Sequence, residues 1–393
     1  MTVRNPLQNL RISHTMSLGI IISSFLIVNI FLFLHYGVKI VNDTARYLEY
    51  SDAIMKQGIH FEKHNFWYLG YVLFITFFRQ LSDNPGVIIF AQVSISLLAP
   101  VAIYYASWTV SEDKFSALFS ALLYIFWLKI SQWNFYIHPE SLYVSFSSLT
   151  ICSVVVSFYR KNNFILSWLL VAVTFWIKPT GFVVGASLIL SLLYVLNKKI
   201  KASAVLVTAE CLILGIAFVP LLNAMLATFN VVETYATGEI IYAYSTLPDG
   251  MWRNLFIVEN NHLNFPTSST PLGRMVDFIF HNLLFFSKIT ALKGITFLLH
   301  VKPYFSPLHN AAIILILYPA YWFSYLGIKI AIAPVQLFIT AYIILHCVIV
   351  MLTVEDWDGR FILPLLPVIF IFAGNGVHQF ILTRRNRRNY GTA

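Results

Sequence analysis

The sequence predicts an all-α polytopic membrane protein: about ten transmembrane helices, with juxtamembrane helices on the outer side of the bilayer. Composition is the first reason. Of 393 residues, 58% are hydrophobic and only 11% charged, against about 25% charged in a water-soluble domain. The mean hydropathy is +0.74. Segmentation is the second reason, because the apolar residues fall in runs close to the twenty or so needed to cross a bilayer. The third is where the cations sit. The net charge of +9 lies largely in short basic clusters between apolar runs, a pattern that sets membrane topology. It removes the nucleic-acid reading that such a charge otherwise invites; membrane lipids are the expected surroundings. Cys152, Cys211 and Cys347 each lie inside an apolar run. Odd in number and without metal-site spacing, they read as small packing residues.

The first span is 17–36, preceded by Arg4 and Arg11. Its apolar core is too long for a signal peptide, and no small-residue cleavage site precedes Lys39, so it is expected to stay. Further spans are expected at 86–108, 115–133, 141–158, 163–177, 180–196, 202–222, 311–330, 335–352 and 361–381. The loops "YRKNN" (159–163), "NKKIK" (197–201) and "TRRNRR" (383–388) are short and basic and therefore cytoplasmic. Both termini inside satisfies all of them, provided "FWYLGYVLFITFFRQL" (66–81) does not cross. That stretch is short and rich in aromatics and suits a helix in the interface. The outer side then carries 37–85, "NFYIHPE" (134–140), the "KPTG" turn (178–181), the long 223–310 and "TVEDWDGR" (353–360). Three regions follow: a transmembrane module over 1–222 with 37–85 as its first outer loop, the large outer loop 223–310, and C-terminal spans with a basic tail over 311–393. Within the large loop, 278–299 reads as an amphipathic stretch resting on the membrane as a lid.

Four stretches on the outer side carry chemistry. In "VNDTARYLEYSDAIMKQG" (41–58), Asn42 is a good N-cap and Gly58 a good stop for a helix of about four turns. Asp43, Arg46, Tyr47, Tyr50 and Ile54 share one face of it, and Asp43 in the first turn gains from the helix dipole. In "YIHPESLYVSF" (136–146), Pro139 suits the first helical position and puts Glu140 in the first turn, with His138 just before it. Lys178 in "WIKPTGF" (176–182) and Arg360 in "EDWDGRFILPLLPVIF" (355–370) are cations at span ends. Each has a plainer reading: the acids as helix-start residues, Lys178 as a snorkelling side chain, and Arg360 as the partner of Glu355 or Asp358. Together, acids (Asp43, Glu140) and cations (Lys178, Arg360, with Lys129 a further candidate) at one face suit transfer of a sugar from a lipid phosphate. An acid takes the proton of the acceptor hydroxyl, and cations hold the phosphate that leaves. Asp43 and Glu140 could also share a divalent metal ion, although no third ligand is visible.

With these motifs in order, the chain resembles the integral-membrane glycosyltransferases of the GT-C fold, in particular the protein O-mannosyltransferase and lipid A aminoarabinose transferase group. "NDTARYLEY" is similar to that family's acid after the first span, and "HPESLYVSF" to its later acid. "KPTG" resembles its turn between two middle spans, "GRFILPLLPVI" the Arg-aromatic start of a late span, and 66–81 its second juxtamembrane helix. The resemblance covers about the first 220 residues and the last forty. Many relatives have Asp where this chain has His138-Pro139-Glu140, and 223–310 matches nothing in the family. What the resemblance implies is an inverting transfer from a polyprenyl-phosphate sugar to a hydroxyl of a lipid or glycan acceptor. Asp43 would be the general base with Glu140 as its catalytic companion. Lys178, Arg360 and Lys129 would bind phosphate, and His138, Arg46 and Tyr47 would position sugar or acceptor. A bacterial inner membrane is the expected location, because a glycan on the formal "NDT" acceptor (42–44) would block the base.

Two other classes compete. An O-antigen-type polymerase or ligase acts on diphosphate-linked glycans, and its outer loops are expected to be strongly basic. Here 223–310 sets Arg253, Arg274, Lys288, Lys293 and Lys302 against Glu233, Glu239, Asp249, Glu259 and Asp277. A lipid-linked-sugar transporter or flippase is expected to show repeated halves and charged or broken helices at mid-membrane; neither is visible in the sequence.

Overall fold

Backbone polar groups cannot stay unpaired in hydrocarbon, so apolar runs of this length close into helices. The computed structural model describes residues 12–229, 231–242, 253–259 and 262–390. Arg4, Arg11, Pro248 and Asp249 lie outside the described residues. The chain opens with α1 (His14–Tyr36), capped by the Ser13 hydroxyl accepting from Met16 N. Next come α2 (Asn42–Gln57) and α3 (Leu69–Leu81). The following transmembrane part holds α4 (Gly86–Ser111), α5 (Lys114–Phe126), α6 (Leu128–Gln132), α7 (Glu140–Arg160), α8 (Ile165–Ile177), α9 (Phe182–Ile200) and α10 (Ala204–Phe229). The long loop holds α11 (Val231–Ala236), α12 (Arg253–Phe256), α13 (Pro271–His281) and α14 (Leu283–Leu299). The last helices are α15 (Pro307–Ile330), α16 (Ala333–Leu352) and α17 (Leu366–Tyr390). Among the described residues, eight helices are long and apolar enough to cross a membrane: α1, α4, α7, α9, α10, α15, α16 and α17, the last with the turn Arg360–Leu365 that leads into it. This is a multi-pass membrane protein.

Two expected spans differ from the simple picture. The run 115–133 is α5 and α6, bent by 53°. Trp127 leaves helical geometry at the bend (ψ 79°) and packs its ring against Phe370 of α17. A broken helix is therefore present where the sequence suggested none. The run 163–177 is α8, only 13 residues or about 20 Å at 1.5 Å per residue, short of a hydrocarbon core of about 30 Å. Hydroxyl pairs Ser153–Ser167 (2.9 Å) and Thr150–Thr174 (3.0 Å) join it to α7. α3 packs over its end so closely that a Cβ on Gly70 would lie 2.8 Å from the Trp176 carbonyl carbon. α3 itself is also 13 residues long and is not among the helices long and apolar enough to cross.

Helix ends gather on two faces. On one, His14 bonds the Tyr104 hydroxyl (2.8 Å), His378 pairs with Asp113 (3.4 Å), and the Arg160 guanidinium lies 5.5 Å from the Trp108 ring. α1 begins and α17 ends here. The other, the site face, collects Asp43, His138, Glu140, Lys178 and Arg360. α17 is the central helix and meets α15 at small residues. A Cβ on Gly327 would sit 1.9 Å from Phe372 O, and one on Gly376 1.9 Å from Phe323 O, a close approach that only glycine permits.

The long loop begins after Phe229 rather than at 223, because α10 runs on for another two turns. It packs around its own apolar cluster of Tyr235, Phe278 and Ile289. The segment 278–299 is not one amphipathic helix. The chain turns by 104° between α13 and α14, where the Asn282 side chain binds the Asn264 backbone on both its N–H and C=O. Lys293 is fully buried, 3.7 Å from the Tyr235 ring centre, and donates to Thr353 O (2.5 Å) beyond the end of α16. The loop is fastened to the last outer segment by a short parallel pair, β1 (Ile241–Tyr242) with β2 (Glu355–Asp356), in the register Ile241↔Glu355.

Candidate active site

Asp43 and His138 are 95 residues apart, and backbone pairing brings them together. Lys39 N donates to Phe135 O (2.8 Å) and Ile137 N to Lys39 O (3.1 Å). Thr44 holds both segments at once: its hydroxyl accepts from Val41 N and donates to Ile137 O (2.9 Å). The cap of α2 is thus Val41, one residue before the expected Asn42. Gly58 ends the helix as expected, at φ +78° with its N–H on Ile54 O. Below, the Gln92 amide donates to Asn134 O and Tyr136 O, and Asn134 links Asn29 to Ser141. These bonds satisfy the irregular 134–138 backbone inside the protein and fix His138. α7 then starts at Glu140, with Pro139 as its cap.

Lys178 ends α8, and Gly181 N closes the turn on Lys178 O (2.9 Å). Gly181 is required there, since a Cβ would lie 2.6 Å from Thr174 O. Arg360 follows Gly359, whose φ of +71° and contact with the His300 ring exclude other residues.

These elements converge on one cluster. Asp43 Oδ2 is 3.3 Å from His138 Nε2, and His138 Nδ1 is bonded to Glu140 Oε2. Lys178 Nζ donates to Glu140 Oε1 at 2.6 Å. The Arg360 guanidinium reaches three groups: NH1 is 3.2 Å from His138 Nε2, Nε is 3.6 Å from Glu140 Oε1, and NH2 donates to Asp356 Oδ2 at 2.6 Å. Arg46 NH2 is 3.5 Å from Asp43 Oδ1 and donates to the Tyr47 hydroxyl. Glu140 is buried, its side chain 2% exposed, whereas that of Asp43 is 42% exposed. Asp43 is thus the open end of a buried polar chain. The hydrogen bond from His138, opposed by partial burial and assisted by the charges of His138, Arg46 and Arg360, holds the Asp43 carboxyl down at about 2.

Of the residues singled out from the sequence, Asp43, Arg46, His138, Glu140, Lys178 and Arg360 form this cluster. Tyr47 is buried with its ring edge-on to His138 (5.8 Å), so it is a wall of the site. Lys129 stands aside: its ammonium is 6.0 Å from one face of Trp133, a ring that also lies 5.7 Å from Arg360. Arg360 takes Asp356 as its ion-pair partner, not Glu355 or Asp358; Asp358 accepts only its backbone N–H. Asp356 stands four residues before Arg360, a separation that suggests a partner only on a helix. Here a turn closed by Gly359 N on Asp356 O does the same work. Phe361 and Tyr143 were also missed; both rings flank the Lys178 ammonium (4.9 and 5.5 Å).

A divalent ion does not fit this cluster. Both oxygens of Glu140 already face Lys178 and His138, Arg360 stands beside them, and among the described residues no group of three His, Cys, Asp or Glu could hold a metal. Next to the cluster an open groove of about 470 Å³ runs between α3, α4, α7 and α8, lined by Leu73, Phe74, Ile95, Phe146 and Trp176 among others. Its wall includes Leu142, two residues beyond Glu140, and Ile177, the neighbour of Lys178. No protein-family model matches the chain, and no curated protein is significantly similar to it.

Proposed function

We propose that this protein transfers a sugar from a polyprenyl-phosphate donor to an acceptor hydroxyl, with the site face on the extracytoplasmic side of a bacterial cell membrane. The observation that carries this reading is a solvent-open carboxylate joined through His138 to a buried lysine, Lys178, and a half-buried arginine, Arg360, beside an apolar groove. The acceptor oxygen attacks the anomeric carbon while Asp43 takes its proton. The bond from that carbon to the phosphate oxygen breaks, and its electron pair goes to the phosphate, which Lys178 and Arg360 hold. The isoprenoid tail lies in the groove between α3 and α7. With the acceptor on the Asp43 side and the phosphate on the Lys178 side, the anomeric centre inverts. Charge balance favours a monophosphate donor over a diphosphate: three carboxylates (Asp43, Glu140, Asp356) face three cations (Arg46, Lys178, Arg360).

The test is to incubate purified protein with a panel of polyprenyl-phosphate sugars and an acceptor mixture and to measure released polyprenyl phosphate. Release from at least one monophosphate donor is expected. Cleavage confined to diphosphate-linked donors would favour the polymerase or ligase class. Passage of intact donor across proteoliposomes without cleavage would favour a transporter.

A further inference from the structure

We infer that His138 accepts the acceptor's proton from Asp43, and that this proton switches Arg360 from the imidazole to the departing phosphate. The inference rests on the transfer reading above.

The geometry at the imidazole leaves two states. Glu140 receives the Lys178 ammonium on one oxygen and faces His138 Nδ1 with the other, so Nδ1 carries a proton and donates. Nε2 has two neighbours of opposite kind, the Asp43 carboxylate at 3.3 Å and the Arg360 NH1 donor at 3.2 Å. A ring nitrogen either accepts through its lone pair or donates its proton. Without a proton, Nε2 accepts from Arg360 and meets Asp43 lone pair to lone pair. With a proton, it donates to Asp43 and meets Arg360 donor to donor. One proton therefore decides which contact is a bond.

The ring cannot turn away from this choice. Its side chain is 4% exposed, with Tyr47 edge-on at 5.8 Å and Trp133 at 5.2 Å. The charged and titratable groups around it are Asp43, Arg46 and Tyr47 of α2, Tyr68 beyond them, Glu140 of α7, Lys178, and Arg360 with Asp356.

The proton path balances. The hydroxyl proton passes to Asp43 and then to Nε2 as the new carbon–oxygen bond forms. The cluster, neutral while the imidazole is neutral, gains one positive charge as the phosphate gains one negative charge. Arg360 keeps its 2.6 Å bond to Asp356 through NH2, so only NH1 is released and the guanidinium pivots toward the phosphate.

The experiment compares a hydroxyl acceptor with azide, a nucleophile that brings no proton. In His138→Gln, transfer to the hydroxyl acceptor is expected to fall by roughly two to four orders of magnitude, and added azide is expected to restore donor cleavage, yielding glycosyl azide. A folded variant that azide does not rescue, or one that keeps more than half of the hydroxyl transfer, overturns the relay. A second measurement uses wild-type protein only, should the variant fail to fold. Hydroxyl transfer is expected to fall as the pH is lowered, while azide transfer under the same conditions does not; parallel pH profiles overturn the proposal. Wild-type protein that cleaves no donor with either nucleophile overturns the transfer reading itself, a result distinct from a silent His138 in an active enzyme.

Discussion

Two buried glutamate–lysine pairs stand at the site face, and they are built differently. Glu140 and Lys178 are 2.6 Å apart, and His138 engages the second oxygen of Glu140. Glu355 and Lys302 are both fully buried but 3.6 Å apart; neither oxygen of Glu355 has a hydrogen-bond partner among the described residues, and Lys302 donates instead to Asp356 O (2.8 Å). Burial pushes Glu355 up to about 7, with Lys302 only partly opposing it, whereas Asp43, beside the first pair, is held down at about 2. Burial penalises charge in both places, and only directed donors offset it. The first pair is thereby kept charged. The second is a strut beneath the β1–β2 pairing whose Glu355 carboxyl takes up a proton near physiological pH.

The largest expected effect separates chemistry from support. Asp43→Asn keeps the shape of the open end but removes the proton acceptor. Release of polyprenyl phosphate should drop by roughly two to four orders of magnitude, with thermal unfolding in detergent unchanged. A variant that still turns over at the wild-type rate would detach Asp43 from the mechanism.

Next in size is the stability of the first pair. Lys178→Met removes the nearest partner of buried Glu140 and leaves it only His138 and, at 3.6 Å, Arg360, which costs up to about 3 kcal/mol. Adding Glu140→Leu should return most of that, because two apolar side chains replace two desolvated charges. Equal unfolding midpoints for wild type and the single variant would show that this pair resembles the second one after all.

The smallest effect lies at the strut and appears as pH dependence. The folded-state value of Glu355, about 7, is above the ordinary glutamate value of 4.5, so the folded protein holds the proton longer than the unfolded chain. Stability is then lost as pH rises from about 4.5 through about 7, by at most about 3 kcal/mol. Glu355→Gln mimics the protonated acid and should flatten this trend, leaving the variant more stable than wild type at pH 8. Asp43 acts in the opposite sense: its contribution is present above about pH 4 and lost as pH falls toward 2. Indistinguishable melting profiles for wild type and Glu355→Gln between pH 5 and 8 would contradict the buried Glu355 carboxyl's holding its proton up to about pH 7.

Much of the transmembrane layout was legible because an apolar run of span length has few alternatives. The helix 42–57 was legible from its stop at Gly58, although its cap is Val41 and not Asn42, and the shortness of 66–81 was plain from its length. The break at Trp127 was not, since no proline or glycine marks it and the ring is drawn out by Phe370, more than 240 residues away. The bend at Asn282 depends on Asn264 and was equally silent. At the site, sequence order placed acids and cations on one face but could not pair them. His138 read as an accessory, yet it is the link between Asp43 and Glu140.

By itself the sequence determined that this chain crosses a membrane many times, and that its carboxylates and cations collect where helices emerge. The physical reason is local: hydrocarbon excludes unpaired backbone and charge, so each stretch declares its depth by its own composition. Only the tertiary structure decided that Arg360 holds Asp356 and His138 while Lys178 holds Glu140. Those choices are made over a few ångströms by segments up to 222 residues apart, and packing of the helices, not the identity of any one stretch, fixes distances of that size.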